Sequence, residues 1–219
     1  GQYRYALWLN EKDYKKIESN PIVKERIERT YKHRIKSSAK GLAARPWSFR
    51  DTNMTTTQSI MIPCHSSENR EYLPMGIVGD DIIISNSAMA IYDAPIYLLG
   101  LLESRMHMTW MRAIGGKLKT DYRYSAGLVY NTFPVPKISE QAKTEIEDCV
   151  FEMLDYREIS GKTLAELYDA KKMPEELLEI HQRLDLLVDK LYQTKAFADD
   201  QERLSLLLNM YKDKVESNE

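Results

Sequence analysis

The feature that most constrains the fold of this 219-residue sequence is a change of period. A segment with apolar residues at helical spacing is followed at once by a segment in which charged residues occupy every second position. Residues 96–113 predict a helix because apolar side chains recur every three or four positions: Leu98, Leu99, Leu102, Met106, Trp110 and Met111. Gly115 and Gly116 end that helix. From residue 117 the period becomes two, which predicts an extended strand with four charges on one face: Lys117, Lys119, Asp121 and Arg123.

Three cations around one carboxylate, on a short segment directly after a helix, suit a polar template such as duplex DNA. In the major groove a lysine donates to guanine O6 and N7, and an aspartate accepts from cytosine N4. Lys119 and Asp121 could therefore read one G·C pair, with Arg123 on a neighbouring purine. The alternative is a solvated strand face with internal ion pairs, which the pattern alone favours because such faces are common.

A long motif contains this segment. Residues 103–136, ESRMHMTWMRAIGGKLKTDYRYSAGLVYNTFPVP, resemble the signature of the MmeI-like restriction-modification enzymes, which are single-chain DNA adenine methyltransferases with a fused nuclease. Upstream, YALWL and PCHSSENREYLPMG extend the resemblance, and downstream LAELYDAKKMPEELLEIHQRLDLLVDKLY is similar to the helical tail of those proteins. The resemblance covers essentially the whole chain, as the C-terminal part of a longer enzyme.

The resemblance implies that this region is a target-recognition domain in which Lys119, Asp121 and Arg123 touch base edges. By the same resemblance, the hinge of residues 86–88 lies near a second base-reading position of the family, which we assign to Ser87. No catalytic, cofactor-binding or metal-binding residue is expected in this chain. The resemblance places the nuclease, the S-adenosylmethionine fold and the Asn-Pro-Pro motif in the missing N-terminal part, so S-adenosylmethionine and Mg²⁺ are expected for the parent enzyme. Asn20-Pro21 lacks the second proline and the aromatic residue of that motif.

The charge distribution supports a polyanionic partner for the front of the chain. Residues 1–135 hold 19 Lys and Arg against 13 Asp and Glu, a balance of +6, whereas the remainder has a balance of -8. Residues 24–50 form the most basic tract, with nine cations and two acids. The candidate phosphate-binding residues are Lys32, Arg34, Lys36, Lys40, Arg105, Arg112 and Lys117. For any single lysine, a solvated helix face is an equal alternative.

Composition and the remaining patterns give the expected architecture. We expect an α+β fold in which a small mixed sheet with flanking helices, residues 1–135, forms the recognition domain, and residues 136–219 form a helical brace. Predicted strands cover residues 2–9, 59–63, 71–75, 82–85 and 89–92. Predicted helices cover residues 10–18 and 21–38, and others begin at Ser139, Thr163, Pro174 and Asp199. The abrupt start suggests an excised fragment.

Two cysteines, Cys64 and Cys149, have no zinc or disulfide spacing, which fits a reducing cytoplasm. No apolar run approaches the length of a membrane span. We expect His65, next to Cys64, to be structural, because no second ligand lies nearby, and we expect His107 to be packed or hydrogen-bonded within its helix.

Three functions compete. The leading hypothesis is a double-stranded DNA recognition module that acts with the catalytic N-terminal part of the same polypeptide. The second is a protein-interaction module whose charged strand docks an acidic partner. The third, an independent enzyme, is disfavoured because neither a cofactor loop nor a nuclease-like carboxylate cluster is visible in the sequence.

Overall fold

A computed structural model describes residues 4–38 and 40–217. The chain divides into two compact units, Gly1–Met54 and Thr55–Glu219. We describe each unit by itself.

The first unit is built from two helices, α1 (Glu11–Ile17) and α2 (Pro21–Ile35), and a short 3₁₀ turn (Lys40–Ala44). The predicted helix starts are confirmed, because the Asn10 side chain accepts from the Asp13 amide at 2.9 Å and Asn20 caps α2 in the same way. The predicted strand over residues 2–9 is wrong where it can be judged: residues 4–10 are irregular, and residues 2 and 3 lie outside the described residues. A β-prone segment needs a partner strand, and none of the described residues pairs with this one.

The second unit contains six short strands: β1 (Gln58–Pro63), β2 (His65–Ser66), β3 (Gly76–Gly79), β4 (Ala88–Tyr92), β5 (Gly116–Leu118) and β6 (Asp121–Arg123). They form two antiparallel sheets in the orders β3-β1-β4 and β2-β6-β5. The α+β class is confirmed, but two small antiparallel sheets replace the single mixed sheet we expected. The chain passes from one sheet to the other at Cys64.

Two of the predicted strands are wrong. Residues 71–75 and 82–85 are irregular, and the partner of β1 is β3, which lies between them. Tyr72, Leu73 and Met75 are almost fully buried without strand pairing. Their apolar character reflects packing in the core, which alternation alone cannot distinguish from a half-buried strand. The predicted strands at 59–63 and 89–92 are confirmed by β1 and β4.

The single helix predicted over residues 96–113 is two helices, α3 (Ile96–Leu102) and α4 (Arg105–Ile114). Ser104 starts α4 by accepting from the His107 amide at 3.3 Å. Glu103 lies in the break, fully buried, and its carboxylate binds the Arg157 guanidinium at 2.8 and 2.9 Å. The apolar spacing continues through the break because both helices bury that face in one core.

Four further helices follow: α5 (Glu140–Ser160), α6 (Leu164–Leu167), α7 (Glu175–Tyr192) and α8 (Asp200–Glu216). Their predicted starts are confirmed. Helix α5 packs against α3 and α7, and α8 packs against α4. At Gly100 a Cβ would lie 2.5 Å from Cγ2 of Ile146, so a side chain there would push α3 away from α5. No helix in the described parts of the chain has the length and apolarity needed to cross a membrane.

A buried polar network joins residues on both sides of position 135. Arg157 on α5 donates to the carbonyl of Met75 at 3.1 Å, as well as to Glu103. Asp185 on α7 accepts from the Tyr72 hydroxyl at 2.7 Å and from the Arg105 amide at 2.6 Å. The helical region therefore shares one core with the strands of this unit. The predicted division into a recognition domain (1–135) and a helical brace (136–219) stays a prediction.

Candidate nucleic-acid interface

The charged segment 117–123 is a hairpin, and the prediction of one extended strand is wrong. Strands β5 and β6 pair in the register Gly116↔Arg123, Lys117↔Tyr122 and Leu118↔Asp121. Two residues, Lys119 and Thr120, make the turn. Lys119 takes a left-handed backbone conformation, with φ of 59°. A turn at this point was not predicted because neither Lys nor Thr has the turn preference of Asn or Gly.

The hairpin separates the four charges that we expected on one face. Asp121 and Arg123 share a face with Leu118, since residues two apart on one strand and directly opposite residues on the next strand share a face. Lys117 lies on the other face, with its ammonium 5.7 Å from the ring centroid of Tyr122. Lys119 is at the tip. Three of the four charged side chains therefore lie at the end or on the exposed face of the hairpin.

The base of the hairpin is fixed to the core on its β6 side. Tyr124, next to β6, is buried, and its hydroxyl is hydrogen-bonded to Nε2 of His107 on α4 at 2.9 Å. Burial lowers the pKa of His107 to about 3, so this imidazole is neutral. The edge of the His107 ring also packs on Phe133, with centroids 4.5 Å apart. The expectation that His107 is packed and hydrogen-bonded is confirmed.

The other strand of the hairpin leaves α4 directly. Gly115 ends α4 and its amide donates to the Met111 carbonyl at 2.8 Å. A Cβ on Gly115 would lie 2.4 Å from that same carbonyl oxygen. The close approach requires glycine here, and it fixes the direction in which β5 leaves the helix.

The charged groups at the exposed end of the hairpin have no partner within the described residues. No hydrogen bond or ion pair engages the ammonium of Lys119, the carboxylate of Asp121 or the guanidinium of Arg123 among residues 4–38 and 40–217. The alternative of a face with internal ion pairs therefore does not describe this hairpin. Its polar groups are held by the backbone and are available to an external partner.

Ser87 and the end of the hairpin strand β6 are linked through backbone hydrogen bonds to one residue, Cys64. The amide of Cys64 donates to the carbonyl of Ser87 at 3.3 Å, and the amide of Tyr124 donates to the carbonyl of Cys64 at 3.0 Å. Cys64 is thus hydrogen-bonded through its amide to Ser87 and through its carbonyl to Tyr124, the residue that follows Arg123. The structure brings these predicted base-reading positions together, and Ser87 is exposed.

Three of the predicted phosphate-binding arginines have intramolecular partners instead. Arg34 donates to the carbonyls of Leu42, Arg45 and Ser48 at 2.7 to 3.1 Å, which ties α2 to the segment that follows it. Arg105 and Arg112 both approach the Asp200 carboxylate, at 2.8 and 3.7 Å. Arg112 also donates to two backbone carbonyls. These three guanidinium groups thus have intramolecular partners, and their contacts with phosphates stay a prediction.

The predicted lysines are freer. Lys32 lies 2.7 Å from Glu28 in an exposed pair, a kind of contact that solvent screens and that adds little to stability. Lys36 and Lys40 are exposed, and within the described residues their ammonium groups have no partner. Together with Lys117, these lysines remain the candidates for phosphate contacts.

One exposed residue was missed. His65 on β2 is in register with Arg123 on β6, and both are exposed, while the next pair, Ser66 and Tyr122, points inward. We expected His65 to be structural. No local signal could have placed it beside Arg123, because the pairing joins distant parts of the chain. In the described ranges no three or more His, Cys, Asp or Glu side chains gather in a way that could hold a metal ion.

Comparison with known proteins identifies this arrangement. The family model described as "MmeI, target recognition domain" matches residues 1–137. The chain belongs to this family. A second family model, "MmeI, C-terminal domain", matches residues 138–217, so a target recognition domain and an MmeI C-terminal domain together fill the chain. The resemblance to MmeI-like enzymes is confirmed.

Two relatives show how this MmeI target recognition domain relates to longer proteins. DNA methyltransferase A of Bacillus subtilis (strain 168) is 56% identical over 219 residues, which are 99% of this chain and 25% of that protein. The solved structure of the type IIL restriction-modification enzyme MmeI in complex with DNA matches with a TM-score of 0.89 at 40% identity. That match covers 96% of this chain and 29% of the MmeI chain. The chain spans about a quarter of the length of the curated relative.

Proposed function

We propose that this chain is the sequence-specific double-stranded DNA recognition module of a larger DNA methyltransferase or restriction-modification enzyme. The observation that carries the proposal is the hairpin end, where Lys119, Asp121 and Arg123 are exposed and without internal partners. A donor, an acceptor and a second donor in fixed order match the edges of bases in the major groove. Membership of the target recognition family and the names of the relatives support the same conclusion.

The roles divide between bases and backbone. Lys119 and Asp121 lie on either side of Thr120, so that a guanine and its paired cytosine fall within reach of one donor and one acceptor. Arg123 reads a purine beside them, and Ser87 contacts a base from the hinge that is bonded to Cys64. Lys32, Lys36, Lys40 and Lys117 hold phosphates, which adds affinity that does not depend on sequence.

Catalysis belongs to the part of the polypeptide outside this chain. We place there the S-adenosylmethionine-dependent adenine methylation, a fused endonuclease and its Mg²⁺, and we assign no cofactor to the module itself. The module positions the target site for that chemistry, and the parent enzyme acts in the cytoplasm. The length of the relatives supports this placement. The proteins named as a methyltransferase and as a restriction-modification enzyme are about three to four times as long as the segment they share with this chain.

A salt titration with two duplexes tests the module. The full-length polypeptide is bound to a duplex that carries the motif methylated in its host genome, and to a duplex with the same composition in scrambled order. We expect both complexes to weaken as salt rises, with the motif duplex retained at concentrations that release the scrambled one. Equal release of both duplexes, together with retention of an acidic protein, would favour the interaction module instead.

A further inference from the structure

His65 is an exposed residue of the second unit to which the roles above assign nothing, and the sheet register places it beside the base-reading strand. In β2 it lies directly opposite Arg123, and directly opposite residues of an antiparallel pair have Cβ atoms about 4.5–5.5 Å apart. The inward partner pair, buried Ser66 and half-buried Tyr122, fixes which way the outer pair points. The imidazole and the guanidinium therefore share one exposed face.

Backbone hydrogen bonds of the preceding residue fix the position at which the strand of His65 begins. The preceding residue, Cys64, donates its amide to Ser87 and accepts at its carbonyl from Tyr124. His65 thus follows directly on the residue that bridges the Ser87 hinge and the Arg123 strand. Within the described residues its ring makes no hydrogen bond, ion pair or aromatic contact. An exposed imidazole without an internal partner on a fixed strand is available to an external acceptor.

The spacing fits neighbouring base pairs. Adjacent strands of a sheet are about 4.8 Å apart, and adjacent base pairs are about 3.4 Å apart along the duplex. With the strands across the duplex axis, the step of about 4.8 Å from the strand of Arg123 to that of His65 ends nearest to the adjacent base pair. An imidazole carries one N–H donor when neutral, and purine N7 or guanine O6 in the major groove accepts such a bond.

From this geometry we infer that His65 is a further specificity-determining residue, which reads a purine edge at the base pair adjacent to the one read by Arg123. The inference rests on the proposed function, because it requires the hairpin to face the major groove. It adds a second strand to the recognition surface, so that the outer face of the sheet β2-β6-β5, and not the hairpin alone, contacts bases.

The test compares full-length enzymes that carry His65→Ala, Arg123→Ala, Lys119→Ala or His33→Ala with the unsubstituted enzyme. Methylated motifs are read by sequencing genomic DNA, and bound sequences are selected from a randomised duplex pool. We expect His65→Ala to lower discrimination about tenfold at one base pair, next to the pair relaxed by Arg123→Ala. His33 is an exposed histidine on α2, and His33→Ala is expected to leave every base preference unchanged.

The outcomes distinguish failure of the role of His65 from failure of the proposed function. Unchanged preference in His65→Ala, while Arg123→Ala relaxes its own base pair, overturns the role of His65 and leaves the proposed function standing. A uniform loss of affinity for all sequences makes His65 a phosphate contact and also overturns it. Loss of all sequence preference in His65→Ala, at an unchanged unfolding midpoint, overturns it as well, because His65 would then act on the whole surface and not on one base pair. If neither Arg123→Ala nor Lys119→Ala changes any preference, the proposed function itself fails.

Discussion

The hydroxyl of Tyr124 lies 2.9 Å from Nε2 of His107, and this buried hydrogen bond joins the strand that carries Asp121 and Arg123 to the helix that precedes the hairpin. The same strand also pairs with β5, which follows the helix directly. Since Tyr124 and His107 are buried, the hairpin that carries the charged residues is attached to the core. This attachment fixes the positions of donors and acceptors before a partner binds, which lowers the conformational entropy lost on binding.

Tyr124→Phe should destabilise the folded chain. The substitution leaves Nε2 of the buried His107 without a partner, which costs about 1–3 kcal/mol. Urea unfolding followed by circular dichroism measures the change. The matched control is Tyr130→Phe, because the hydroxyl of Tyr130 makes no hydrogen bond within the described residues and should change stability by less than about 0.5 kcal/mol. Equal effects of the two variants would contradict the anchoring role of the Tyr124–His107 bond.

Gly115→Ala should be far more disruptive than Gly116→Ala. A Cβ at 115 would lie 2.4 Å from the backbone oxygen of Met111, whereas a Cβ at 116 meets its nearest atom, Cβ of Arg123, at an ordinary 3.7 Å. We expect a loss of about 1–3 kcal/mol for Gly115→Ala, since the end of α4 must shift. Gly116→Ala should be neutral or slightly stabilising. Thermal unfolding of both variants makes the comparison, and a harmless Gly115→Ala would refute the close approach.

Lys119→Ala and Lys36→Ala should weaken DNA binding in different ways. Loss of the ammonium at the tip of the hairpin should cost about 1–3 kcal/mol on the preferred duplex and relax one base pair. Loss of Lys36 should weaken all duplexes alike and flatten the salt dependence. Lys119→Gly provides a control for the backbone, because glycine accepts the φ of 59° without strain while also removing the charge. The role assignment is wrong if the Lys119 and Lys36 variants behave alike on every sequence.

Exchange of charge at the hairpin tip should exchange the base pair that is read. In the double variant Lys119→Glu with Asp121→Arg, the acceptor takes the place of the donor along the strand. We expect the preference at that position to change from G·C to C·G, since glutamate accepts from cytosine N4 and arginine donates to guanine. Sequencing of methylated motifs from cells with the full-length variant reads the result. Retention of the original preference would argue against direct readout by Lys119 and Asp121.

Stability should fall as the pH drops below about 6.5. Burial lowers the pKa of His107 to about 3, and burial together with the charge of Arg157 lowers the pKa of His181 to about 3. Both histidines take up protons near pH 6.5 only in the unfolded chain, so acid favours unfolding by about 1.4 kcal/mol per pH unit for each proton. Urea midpoints measured from pH 7 to pH 4 follow the loss.

Asp185 has the opposite effect on the pH dependence of stability. Burial raises the pKa of this carboxyl to about 6, although the Tyr72 hydroxyl and the Arg105 amide donate to it and lower the pKa. Between about pH 6 and 4 the folded chain takes up this proton and the unfolded chain does not, which offsets one of the histidines. Asp185→Asn should therefore steepen the acid decline in that interval. Midpoints that do not change from pH 7 to 4 would show that the two imidazoles are not kept neutral by the fold.

Local signals explain why most helices were predictable. The side chains of Asn10, Asn20, Ser139 and Asp199 cap the helices that follow them, and each cap is visible as a residue type next to an apolar repeat. A break inside a continuous apolar repeat is harder to predict. Residues 96–113 form two helices, and Glu103 lies in the break between them. Its buried carboxylate binds Arg157, which lies more than fifty positions away in the sequence.

The sequence by itself determined most helix starts, the family and the charged residues of segment 117–123, because caps, apolar spacing and a long motif are all properties of neighbouring residues. Only the tertiary structure decided that this segment is a hairpin, that Arg34, Arg105 and Arg112 are engaged internally, and that His65 stands beside Arg123. The physical reason is the sequence separation of the residues that interact. Strand pairing and ion pairs join residues that are distant in the chain, and their partners become known only when the core brings them together.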